Sequence, residues 1–147
     1  MMQQQLLCVG MLLGGAIAAA QELPNKPGKE LFQTICSECH DPAKVLGRQM
    51  TKSEWQAKVT EMLQEAPDVT QAERETIVNY LAASFPKKVN VNTAPARDLR
   101  IVLEISDAEA AAIVRYREEK GKFKSIEDLR KALDPAKVDA KRDLLEF

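Results

Sequence analysis

Histidine occurs once and cysteine three times in the 147 residues. Chemistry that needs a pair of imidazoles is therefore excluded, and so is a zinc site built mainly from histidine. No pair of residues stands out as an acid and its matching base, so the chain reads as a non-enzyme. An excess of charge of either sign is missing as well, since the net charge is −1. Residues 21–85 carry 7 basic and 10 acidic side chains, and residues 86–147 carry 14 and 12. Neither half is basic enough to announce nucleic-acid binding by charge alone. The length suits one ordinary domain or two very small ones.

Only one long apolar run is present. Residues 6–20, LLCVGMLLGGAIAAA, end in small residues, and Ala18-Ala19-Ala20 has the character of a signal-peptide cleavage site. The run is short for a membrane span. Residues 1–20 are thus expected to be a signal peptide, with an uncleaved anchor as the lesser alternative because Met1–Gln5 lacks lysine and arginine. The mature chain would not span a membrane. Without the leader only Cys36 and Cys39 remain, and with both taken up by the motif described next no structural disulfide is left to propose.

Those two cysteines stand in Cys36-Ser37-Glu38-Cys39-His40. Two thiols with two residues between them, followed directly by histidine, form the attachment pattern of haem c. Each thiol can bond one vinyl group, and the adjacent imidazole then falls under the iron as proximal ligand. Zinc is a poor rival because no second ligand pair follows. A redox dithiol lacks the expected βαβ surroundings. One haem c, covalently attached through Cys36 and Cys39 and ligated by His40, is the expectation. Its usual site of attachment, outside the cytoplasmic membrane, agrees with an export signal and points to the periplasm.

The pattern around this motif is helical. Leu31, Phe32 and Ile35 share one side of a helix over Gly28–Ile35 that runs into the motif and is stopped by Asp41-Pro42. Thr51 with Glu54, and Thr70 with Glu73, have capping-box spacing before two further helices. Trp55, Val59, Met62 and Leu63 line the first of these. Ile77, Val78, Tyr80 and Leu81 line the second, which runs to about Ser84. GKELFQTICSECH and ETIVNYLAASF together make residues 26–85 resemble a small class I c-type cytochrome. The stretch Thr51–Met62, of form TxxEWxxxVxxM, is similar to short dehydrogenase-associated cytochromes. The resemblance implies a methionine as the sixth iron ligand. Met62 is the first candidate and Met50 its competitor, and an open site is the third possibility. The metal ligands would then be His40 and Met62. Trp55 is expected to pack in the core rather than to bind a haem propionate. Arg48 and Lys52 flank the loop and could neutralise propionates.

Phe85-Pro86-Lys87-Lys88 marks a boundary, and a second domain is expected over residues 89–147. Thr93 is the expected cap of a helix with Pro95 in its first turn. Ser106 with Glu109 forms another capping box, Ser125 with Asp128 opens a short helix, and Asp134-Pro135 begins the last. VNVNTAPARDL and AIVRYREEKGKFKSIEDLRK resemble the helix-hairpin-helix module of competence DNA-binding proteins. The fold expected overall is all-α: a small cytochrome c domain followed by a tandem helix-hairpin-helix domain.

The resemblance implies that DNA is bound at hairpin turns whose backbone N–H groups hold a phosphate. Here the first turn reads Glu104-Ile105-Ser106 and the second Leu133-Asp134-Pro135, without the usual glycines and each with an acid. Those acids would restrict the turns and repel phosphate. DNA is therefore expected to be an unlikely partner. The leading expectation is a periplasmic monohaem electron carrier whose second domain docks on a protein redox donor or acceptor, a membrane-bound complex included. The alternatives are a haem sensor or accessory subunit with an open sixth site, and a DNA-binding or DNA-uptake protein with a haem domain.

Overall fold

The computed structural model describes residues 22–147, so the expected signal peptide lies outside the described residues. The described chain is mostly helical. Helix α1 (Lys29–Cys36) follows Gly28, which takes φ 93°. A Cβ at Gly28 would sit 3.1 Å from both the Thr76 carbonyl O and the Tyr80 Cβ, so this approach of α1 to a later helix requires glycine. A 3₁₀ turn (Pro42–Val45) replaces part of the expected loop, because the Asp41 carboxylate accepts the Ala43 N–H at 2.8 Å.

Helix α2 (Lys52–Met62) and helix α3 (Gln71–Ser84) both begin at the predicted capping boxes. At α2 the Thr51 hydroxyl accepts the Glu54 N–H, and the Glu54 carboxylate accepts the Thr51 N–H at 2.8 Å. Trp55, Val59, Ile77, Val78, Tyr80 and Leu81 are buried, together with Phe32 of α1. The Phe32 and Tyr80 rings lie 5.1 Å apart, so α1 and α3 meet across an aromatic contact. This is the core of the first half.

The second half has a separate core around Val91, Leu99, Leu103, Ile113, Phe123 and Leu129. Its elements are β1 (Val89–Asn90), α4 (Ala96–Leu103), α5 (Asp107–Lys120), α6 (Ile126–Leu129), α7 (Pro135–Ala140) and β2 (Leu145–Glu146). The β1–β2 pair is parallel, with Val89 opposite Leu145 and Asn90 opposite Glu146. The described chain is thus predominantly helical, as expected, with four described residues forming this short pair beside the helices. Two-residue strands carry no readable alternation, which is why the pattern missed them.

The NVNT segment is stabilised through its asparagines. Asn90 Oδ1 accepts the N–H groups of Asn92 and Thr93. Asn92 exchanges two bonds with the backbone of Phe123, at 2.9 and 2.8 Å. Thr93 therefore does not cap α4. Pro95 takes the cap position, just before the helix. Ser106 and Ser125 cap α5 and α6 as expected, and the Asp134 carboxylate caps α7.

The halves meet through one short connection. The Met50 N–H donates to the Phe85 carbonyl at 3.2 Å, and the Lys87 N–H donates to the Met50 carbonyl at 3.0 Å. The Trp55 indole N–H also donates to the Phe85 carbonyl, at 3.1 Å. Trp55 is thus a core residue, as its helical spacing predicts, and its only N–H donor is engaged there rather than toward a ligand.

Candidate functional site

Two places gather chemistry. The first is a cavity of about 320 Å³ between α1, the loop after it and α2. Cys36, His40, Met50 and Met62 all line it, together with apolar side chains such as Phe32, Val59 and Leu81. Cys36 closes α1 and is half-buried, and Cys39 is exposed beside it. His40 Nδ1 lies 3.2 Å from the Asp41 carbonyl. A proton on Nδ1 would be held there, which leaves Nε2 as the ligating nitrogen. Met62 ends α2 and is 58% exposed, whereas Met50 is half-buried with its backbone pinned. Both methionines reach the same cavity, so the geometry brings the two expected candidates together rather than separating them.

The rim of this cavity is cationic. Among the described residues Lys44, Arg48 and Lys58 line it and no carboxylate does. Lys58 is paired with Glu61 at 2.6 Å. Lys44 and Lys58 escaped the sequence reading, because the 3₁₀ turn that sets Lys44 was not foreseen. An apolar slot with a positive rim suits a flat apolar group that carries acids at one edge. Burial, reinforced by the neighbouring Cys39, pushes the Cys36 thiol up to about 11. Among the described residues no group of three or more His, Cys, Asp or Glu side chains could hold a bare metal ion.

The second place is the pair of hairpins in the second half. Glu104 follows α4 with φ 54° and ψ 43°, the left-handed region that usually takes glycine. Its carboxylate is paired with the Lys141 ammonium just beyond α7. The hairpin therefore keeps its left-handed turn without glycine, and the acid is neutralised from another element. Ile105 is buried, which anchors the turn to the core.

Ser106 caps α5 reciprocally with Glu109, and Lys137 of α7 reaches the Glu109 carboxylate at 2.6 Å. The Lys137 contact and the Ser106 bonds hold the Glu109 carboxyl well below the usual range, at about 2. Arg100 pairs with Asp107 at 3.1 Å. In the second turn the Asp134 carboxylate accepts the Ala136 N–H at 2.8 Å, so its charge sits on the start of its own helix. Lys137 and Lys141 lie far in sequence from Glu109 and Glu104, and no local pattern signals either pairing.

Comparison with known proteins bears on this second place. Residues 85–142 match the helix-hairpin-helix motif family. The chain is similar to ComE operon protein 1 of Bacillus subtilis (strain 168), 44% identical over 43 residues. That stretch is 29% of this chain and 21% of the relative. It is also similar to endonuclease/exonuclease/phosphatase family domain-containing protein 1 of Rattus norvegicus, 43% identical over 53 residues. There it covers 35% of this chain and 9% of the relative. The chain thus spans about a fifth or less of the length of either relative. No solved structure matches.

Residues 85–142 are a helix-hairpin-helix domain. The match and the likeness to ComE operon protein 1 overturn two expectations. A monohaem electron carrier with a docking domain is not what they support, nor is DNA an unlikely partner. The physical error was to treat Glu104 and Asp134 as free anions. Lys141 neutralises the first, and the second is engaged at the start of α7.

Proposed function

We propose that the chain is a DNA-binding protein of the DNA-uptake kind whose first half carries one covalent haem c. The observation that carries the DNA reading is the helix-hairpin-helix match over residues 85–142, which extends across both hairpins. Affinity in such a module comes from backbone N–H groups and nearby cations meeting phosphates, so binding is expected to depend on salt more than on sequence. The role is one of binding and not of catalysis. Full-length protein is expected to bind duplex DNA with a Kd of about 10⁻⁴ to 10⁻⁶ M at physiological salt, weakening steeply as salt rises. Fluorescence anisotropy across a salt series checks this. No binding up to about 10⁻⁴ M would end the reading.

The haem proposal rests on CSECH and on the cavity that Cys36, His40, Met50 and Met62 line together. Cys36 and Cys39 would form the thioether links, and His40 with Met62, or Met50 as second candidate, would ligate the iron. When bound, the group supplies a one-electron iron couple. The apolar slot would exclude water from its faces, and Lys44 and Arg48 would meet its acids. Attachment of this kind, like the apolar leader, favours export to the periplasm. Intact-mass measurement of protein made in a haem-c-attaching host is expected to show one haem adduct, lost on Cys36→Ala with Cys39→Ala. An adduct-free mass in that host would end the proposal.

A further inference from the structure

We propose that the DNA backbone is gripped in the cleft between the two halves, with Lys52 of the first half supplying a cation that the hairpins lack. This rests on the DNA-binding reading. The cleft is about 260 Å³ and reaches the first hairpin at Glu104. Met50, Lys52 and Lys87 line one side, and Val102, Glu104 and Lys141 line the other. Three lysines thus face a single carboxylate.

The positive charge of the helix-hairpin-helix domain near that hairpin is largely engaged internally. Arg100 is paired with Asp107, Lys137 with Glu109 and Lys141 with Glu104. Lys87 leans on Glu54 at 3.4 Å. Lys52 is exposed and is in no ion pair among the described residues. An unpaired ammonium beside a hairpin is worth more to a phosphate than one that must first leave a carboxylate.

Lys52 is held in place by backbone. It opens α2 two residues after Met50, whose N–H and C=O both bond the connection to the second half. The reciprocal Thr51–Glu54 cap fixes the start of the same helix. Trp55 Nε1, one turn on, holds the Phe85 carbonyl. Neither half alone presents this surface. A phosphodiester is the occupant because its charge complements the lysines and because the cleft opens on the hairpin itself.

The test compares full-length wild type, Lys52→Gln and, as a control away from the cleft, Lys29→Gln, each titrated with duplex DNA over a salt series. Lys52→Gln is expected to weaken binding by roughly three- to tenfold at low salt and to reduce the salt slope by about one. Lys29→Gln is expected to change neither. Thermal melting checks that both variants remain folded. Wild-type binding that Lys52→Gln leaves intact, in affinity and slope, overturns the inference while the DNA reading stands. Equal losses in both variants overturn it too, since the effect would then be general charge. Capture of a polyglutamate peptide through Lys52, with DNA binding untouched, would assign the cleft a protein occupant instead. Absence of wild-type DNA binding overturns this inference together with the reading beneath it.

Discussion

Trp55→Ala is expected to destabilise the first half by about 3–5 kcal/mol, the usual cost of emptying a buried indole site. Trp55 is 2% exposed and packs 6.4 Å from the Phe85 ring, centroid to centroid. Its N–H also bonds the carbonyl from which the connection to the second half departs. The truncation therefore removes a core residue and loosens the joint between the halves. Trp55→Phe separates the two effects. It keeps most of the ring, and the Phe85 carbonyl still accepts the Met50 N–H. Its cost is expected to be nearer 1–2 kcal/mol, set by lost ring volume and one hydrogen bond. Denaturant melts followed by circular dichroism measure both. A Trp55→Ala cost near 1 kcal/mol would mean that the residue is not the core element described.

Lys141→Glu is expected to weaken DNA binding by roughly tenfold or more at physiological salt, a larger change than neutralising one lysine. The reason is that Lys141 acts twice. It places a cation beside the first hairpin, and it neutralises Glu104 at the turn itself. The substitution removes that cation, adds an anion and leaves Glu104 unpaired. Glu104→Gln is expected to act in the opposite direction, since it removes the anion and releases Lys141 toward phosphate. Anisotropy titrations of the two variants beside wild type decide the matter. If Glu104→Gln also weakens binding, the carboxylate is needed to position Lys141, and the neutralisation account fails.

Much of the architecture was legible because it is local. Each of the capping boxes at Thr51, Thr70 and Ser106 is written within four residues, and each opens the helix expected of it. The core residues of α2 and α3 follow from helical spacing alone. The helix-hairpin-helix domain was legible from its two long motif stretches.

What failed to show in the sequence was non-local. The charge at the first turn could be read only as Glu104, because Lys141 is brought to it by the course of α6 and α7. Reading an acid without its partner led directly to the wrong forecast for DNA. Asn90 serves its own turn, but the reason for Asn92 is the Phe123 backbone far along the chain, which no local pattern signals. The candidate haem site was legible as a motif and in Arg48 of its rim, but Lys52 does not line the cavity and Lys44 depends on a 3₁₀ turn that Asp41 creates.

The parallel pairing of β1 with β2 closes the second half into a ring. Its first and last elements are bonded to each other, and Val91 donates a further backbone hydrogen bond to the Glu146 carbonyl at 2.9 Å. Single-site proteolysis should therefore behave unusually here. The exposed loop around Gly121 and Lys122 lies opposite that closure in the chain order and offers a protease an open target. A single cut there leaves each fragment holding one strand of the pair and part of the same buried core. The nicked protein would elute as one species under native conditions and part into two only when denatured.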